Sequence, residues 1–274
     1  MHHPERRLLV CVDMERYSRR SNLQQYEAQK EFHSLLRGAA SAVGLDRMTW
    51  STQQAGDGEL AILPRDVPES QVIGRFVPEL NRRLRAYNAS RVEAARIRLR
   101  IAVHQGLVHL DGANGFPGAA VVLVCRLCDA RPVKRALAAF PEAGVALVVS
   151  TEIFRDVVRE YPEEMRPERF QRIRASHADK DFEEYAWVCV VDEDVSATPL
   201  HDGDQTGRAS GAERILPTLT GRTGADSPHS ADSGGGGIRT GDIRVRGQNA
   251  IGTNATAIGS VGRDAILGRD GGDR

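Results

Sequence analysis

Aromatic residues make up only 5% of this 274-residue chain, and cysteine occurs four times. No apolar run is long enough to span a bilayer, and no signal peptide is expected. Neither sign of charge is in excess, because 37 basic and 37 acidic side chains cancel. That balance argues against a nucleic-acid-binding face. The cysteines, at 11, 125, 128 and 189, form no secreted disulfide framework. Cys11 and Cys189 sit in apolar, strand-like runs as small buried thiols. Cys125-Arg-Leu-Cys128 has CxxC spacing, but it lies in an apolar helical run with no second pair to complete a zinc site. The expectation is a cytoplasmic protein with reduced thiols.

What is present is unevenly spread. The aromatics and all four cysteines fall within roughly the first 192 residues. The remainder is rich in Gly, Ser, Thr and Asp and has almost no large apolar clusters. The organisation expected is one globular domain over residues 7–191, a flexible linker over 192–237 and a Gly-rich tail over 238–268.

Within the domain, Arg7 to Asp13 is a continuous apolar run ending on an acid and reads as a buried strand. A carboxylate there is costly to bury unless it is paired or binds a metal. A helix follows from about Asn22, a candidate N-cap, to Val43, with Leu23, Tyr26, Phe32, Leu35 and Leu36 at helical spacing and Gly44 just beyond. Met48–Thr52 and Glu59–Leu63 suit strands. Gly56-Asp57-Gly58 between them marks a hairpin turn in which glycine would supply positive φ and Asp57 would stand at the tip. A helix over 69–87 carries Pro78, which predicts a kink or a late first turn. Strands follow at 97–110, 144–150, 170–174 and 183–191. Helices fall at 119–137, interrupted near Pro132, and at 151–159. The pattern is α+β: a mostly antiparallel central sheet with flanking helices, which brings the first strand's end and the hairpin tip together. Asp13 and Asp57 then face each other as a carboxylate pair suited to Mg²⁺ or Mn²⁺.

At this point the residues resemble class III nucleotidyl cyclase domains. Asp13-Met-Glu-Arg-Tyr-Ser18 is similar to that family's Asp-Ile-x-Gly-Phe-Ser/Thr segment, and Gly56-Asp57-Gly58 to its Gly-Asp hairpin. Leu99 to Gly106 resembles its R-I-G-I-H-x-G strand, and Gly118 to Leu127 its G-x-x-V-N-x-A-x-R-L helix. The resemblance covers residues 7 to 191 in the family's order and implies a ferredoxin-like, cyclase-type fold. It further implies that Asp13 and Asp57, with the main chain of Met14, hold two divalent cations. Amides from Met14 through Tyr17 and Ser18 would cradle phosphate, and Arg126 would steady the transferring phosphate. The base-reading positions fall near Gln53 and Gly115, with Gly56 beside the nucleotide and Asn114 and Lys180 as further contacts. The family builds its site between two subunits, so a homodimer is implied, with the aspartates from one chain and Arg126 from the other.

The departures are as informative. Val122 stands where the family has an Asn, and it cannot hydrogen-bond a ribose. Gln53 and Gly115 do not support the usual purine recognition. Two readings stay open: a cyclase of altered base choice acting in signalling or antiphage defence, and a catalytically silent module that assembles with partners. In the tail, Ala-Ile-Gly occurs at 250–252 and again at 257–259, with isolated Ile and Val spaced by Gly, Asn, Gln and Thr. Such segments can stack in register, and this one resembles bacterial amyloid-signalling motifs that recruit a sensor partner. A plain Gly-rich tail is the alternative.

Overall fold

The computed structural model describes residues 3–177 and 181–200. Seven strands form one sheet: β1 (Glu5–Met14), β2 (Ser51–Ala55), β3 (Gly58–Ile62), β4 (Leu99–Val108), β5 (Val145–Ser150), β6 (Gln171–His177) and β7 (Phe182–Val190). Their order is β2-β3-β1-β4-β5-β7-β6. All neighbours are antiparallel except β4 and β5, which run parallel. A parallel pair needs a crossover. Here α4 (Ala119–Asp129) and α5 (Arg131–Ala139) supply it. The α+β architecture read from the sequence is therefore the observed one.

The sheet is covered on both faces, and β1 shows how. Leu8, Val10, Val12 and Met14 join a core shared with helix α1 (Asn22–Ala42) and helix α3 (Val77–Asn88). Leu9 joins a second core under α4 and α5, with Cys11 packed against it. Because side chains alternate along a strand, Asp13 faces the same side as Leu9 and Cys11. That second core continues past β7, where Val195 and Leu200 are buried in it. Packing thus extends beyond residue 191 to Leu200. The remaining linker and the tail from 201 onward lie outside the described residues.

Local chemistry corrects several sequence expectations. The N-cap of α1 is Ser21, not Asn22. Its hydroxyl accepts from the Gln24 amide while the Gln24 side chain accepts from the Ser21 amide, a complete capping box. Leu23 and Tyr26, expected on the buried stripe, are 67% and 69% exposed, because at about 100° per residue they lie on the face turned away from Ala28, Phe32, Leu36 and Ala39. Met48 belongs to a 3₁₀ turn, Arg47–Thr49, and β2 starts at Ser51.

The second helix has a distinct irregularity. Helix α2 (Glu69–Gln71) runs through a π-helical turn, Val72–Phe76, into α3, where Pro78 sits in the first turn. Pro78 has no N–H for the Gly74 carbonyl and its ring crowds that oxygen, so the turn before it widens. Two short helices complete the described fold, α6 (Thr151–Ile153), which runs on into a π turn at Phe154–Val158, and α7 (Pro162–Met165). No helix among the described residues is long and apolar enough to cross a membrane.

Candidate active site

The site is built where β1, the β2–β3 hairpin and the start of β4 meet. In the ladder Asp13 lies opposite Gly58 on one side and Arg100 on the other. The Met14 amide donates to the Asp57 carbonyl at 2.7 Å, tying the hairpin turn to the end of β1. The two aspartates are therefore neighbours through backbone register alone. Asp57 is exposed, whereas the Asp13 side chain is 24% exposed.

The glycines of the turn act differently from expectation. Positive φ among the described glycines occurs at Gly44 and Gly115, not at Gly56 or Gly58. What Gly58 provides is space, since a Cβ there would run into the Val12 carbonyl oxygen. Gly56 has only the Tyr17 ring, at 3.8 Å, and Gln29 nearby.

The loop after β1 is firmly anchored. The Glu15 amide donates to the Arg98 carbonyl at 2.9 Å, and the Glu15 carboxylate pairs with Arg98 at 3.0 Å. Arg98 in turn donates to the carbonyls of Ala143 and Phe140 at 3.0 and 2.9 Å. Burial lowers the pKa of its guanidinium. With the Met14 and Glu15 amides occupied, the expected phosphate cradle narrows. No hydrogen bond among the described residues uses the amides of Arg16, Tyr17 or Ser18, and Arg16 adopts a left-handed conformation at φ 56°. Consecutive amides in such a turn form an anion-binding concavity. The Met14 side chain is buried in the α1-side core, so only its main chain can face a ligand.

Two residues that the sequence did not single out hold this arrangement. Gln29 of α1 donates to the Tyr17 hydroxyl and to the Gly56 carbonyl, both at 2.8 Å, and so links the loop after β1 to the turn that carries Asp57. Arg100 forms an ion pair with Asp13 Oδ2. Both contacts join residues distant in sequence; no local pattern marks Gln29, and Arg100, though it falls on the Arg of the quoted R-I-G-I-H-x-G motif, shows its partner only in the fold.

The remaining candidates divide into two groups. Gln53, on β2, packs against Gly115, whose missing Cβ would otherwise meet the Gln53 amide. Gly115 has φ 100° and closes a small turn through its bridge to Gly112, with exposed Asn114 at the tip. Gln53 and the 111–118 loop are thus brought together. Arg126 is not brought to the aspartates. Its guanidinium lies 5.1 Å from the Phe182 ring centroid at the β6–β7 end of the sheet, and its carbonyl is 3.0 Å from His177 Nε2. Val122 is 47% exposed on α4. Lys180 lies outside the described residues.

The CxxC cysteines belong to packing. Cys128 is buried, and its thiol reaches the Cys11 and Arg100 carbonyls at 3.5 and 3.4 Å. A hydrogen bond to Cys11, with burial, pushes the Cys125 thiol well above its ordinary pKa. Among the described residues no group of three or more His, Cys, Asp or Glu gathers to form a metal cage. Two carboxylates beside open amides instead suit a hard cation whose remaining ligands are substrate phosphates, the common arrangement for Mg²⁺.

No family model matches the chain, and no curated protein matches it. Solved structures do. One is the adenylate/guanylate cyclase/hydrolase from Silicibacter pomeroyi, with 23% identity, 69% of this chain and 99% of that chain covered, and a TM-score of 0.46. The guanylate cyclase domain of RhGC from Catenaria anguillulae, solved in complex with GTP, is 15% identical over 70% of this chain and 100% of its own, with a TM-score of 0.44. The guanylyl cyclase Cya2 is 12% identical over 72% and 96%, with a TM-score of 0.45.

Proposed function

We propose that the domain is a divergent class III nucleotidyl cyclase, converting a nucleoside triphosphate to a cyclic mononucleotide and pyrophosphate. The observation that carries this reading is the ladder register that sets Asp13 beside the Asp57 turn, next to the open amides of Arg16 to Ser18. The quoted sequence motifs support it in the same order along the chain. Two divalent cations, Mg²⁺ or Mn²⁺, held by Asp13, Asp57 and the Met14 main chain, would neutralise the triphosphate and activate the ribose 3′-hydroxyl. The amides of Arg16, Tyr17 and Ser18 receive phosphate oxygens. Arg126 of a partner subunit, with its fixed fork of donors, steadies charge on the transferring phosphate. Gln53 can donate and accept at a base edge, and Asn114 stands at the tip of the adjoining turn. A homodimer is part of the proposal because one chain keeps Arg126 at Phe182, apart from the aspartates.

A second reading is favoured by a specific observation. Exposed, apolar Val122 replaces the family's Asn, which fits a silent module recruited through residues 238–268. A role in signalling or antiphage defence, and a sensor partner for the tail, belong to the same proposal. The test is incubation of the full chain with Mn²⁺ and each of the four ribonucleoside triphosphates, with product read by mass. The expected result is a cyclic mononucleotide from one triphosphate and none with Asp57→Ala. If no triphosphate yields product, even with tail-assembled protein, the silent module is the better description.

A further inference from the structure

The two aspartates are in unequal electrostatic positions. No ion pair among the described residues engages Asp57, while Asp13 Oδ2 is taken by the Arg100 guanidinium. Three features make that pair part of the fold rather than a surface contact. Asp13 and Arg100 are direct cross-strand partners in the β1–β4 ladder, so backbone register holds them together. Arg100 is only 8% exposed, and its Nε is buried with no partner. The Arg100 carbonyl is also fixed, by the Cys128 thiol of α4. A buried guanidinium with so few acceptors depends on Asp13 for its counter-charge.

We propose that Arg100 is the resident counter-ion of Asp13, and that a divalent cation must displace or share it, so that Arg100 sets the metal affinity of the site. This rests on the cyclase reading, in which Asp13 and Asp57 hold the cations. A carboxylate with one oxygen committed to a guanidinium offers a second cation a reduced charge and a single free oxygen. The guanidinium also repels that cation at short range, in surroundings that screen poorly. The free protein would therefore bind divalent metal weakly, and tight binding would come with the triphosphate, whose negative charge offsets both cations. The charge of Asp129, at the end of α4, also acts on Arg100. Asp129 is itself paired with Lys134.

The test is a Mn²⁺ titration of the nucleotide-free full chain followed by electron paramagnetic resonance, comparing wild type, Arg100→Gln and Arg100→Lys. Arg100→Gln should bind Mn²⁺ at least about tenfold more tightly, since a buried positive charge beside the ligand is removed. Arg100→Lys, which keeps the charge, should stay near wild type. The gain should vanish when Asp13→Asn is added to Arg100→Gln. Unchanged or weaker Mn²⁺ binding by Arg100→Gln, with binding still lost in Asp13→Asn, would overturn the counter-ion role and leave the metal reading standing. Absence of Mn²⁺ uptake in wild type and Arg100→Gln alike would overturn the metal reading and this inference with it.

A second measurement uses the unaltered protein, in case Arg100→Gln does not fold. Guanidinium N–H signals of Arg100 should be protected from exchange without metal and lose protection as Mg²⁺ saturates the site. Full protection at saturating Mg²⁺ would overturn the proposal.

Discussion

Gly58 shows how a single side-chain hydrogen can decide a register. A Cβ at this position meets the Val12 carbonyl, which is backbone and cannot step aside. Gly58→Ala should therefore cost well over about 3 kcal/mol or shift the β1–β3 register, whereas Gly56→Ala, facing only side chains, should stay within about 0.5 kcal/mol. Urea unfolding of the two variants side by side checks this. His104 offers a second test at the same scale. It is buried on β4, with Nδ1 3.9 Å from a Glu152 carboxylate oxygen. Burial lowers its pKa below 6.5, against the opposing pull of Glu152. The unfolded chain therefore takes up a proton at a higher pH than the folded one. Stability is unaffected above that range and declines as the pH falls through 6.5. Thermal midpoints measured between pH 7.5 and 5 should fall more steeply for wild type than for His104→Asn.

At the scale of elements, α1 does more than cover the sheet. Through Gln29 it fixes the Tyr17 loop and the Asp57 hairpin to each other. Gln29→Leu keeps the helix but removes both bonds. Turnover should drop by up to about 10²-fold through misplaced groups. The thermal midpoint should move by no more than about 4 °C. Steady-state kinetics beside calorimetry would separate the two effects. The elements themselves were largely legible, because hydrophobic period and turn residues are local signals. Asp13, Asp57, Gln53 and the 111–118 loop were also legible as positions. What was not legible depends on partners far along the chain. Leu23 and Tyr26 have helical spacing yet nothing to pack on. The role of Gly58 is set by Val12, and Gln29 and Arg100 acquire meaning only from the residues that the fold brings opposite them. The cap of α1 is the exception: Ser21-x-x-Gln24 is a local capping-box pattern, and it distinguishes Ser21 from the adjacent Asn22.

For the whole molecule, the separation of Arg126 from the aspartates within one chain sets a stoichiometric expectation. If each site draws Asp13 and Asp57 from one subunit and Arg126 from the other, Asp57→Ala and Arg126→Ala should each be inactive alone. Mixed in equal amounts with free subunit exchange, they should recover about a quarter of wild-type activity. Half the dimers are then mixed, and each mixed dimer has one intact site of two. No recovery despite demonstrated exchange would place the two groups in one subunit's site.

Val195 and Leu200 also bear on how the domain is held from its C-terminal side. Both are buried in the core under α4 and α5. A chain ending after Val191 should lose about 3 to 6 kcal/mol relative to one ending after Leu200, from two aliphatic side chains no longer buried. Mechanically, those two residues are a clamp on the rope. A pull applied beyond Leu200 reaches first the core under α4 and α5, in which both residues are buried.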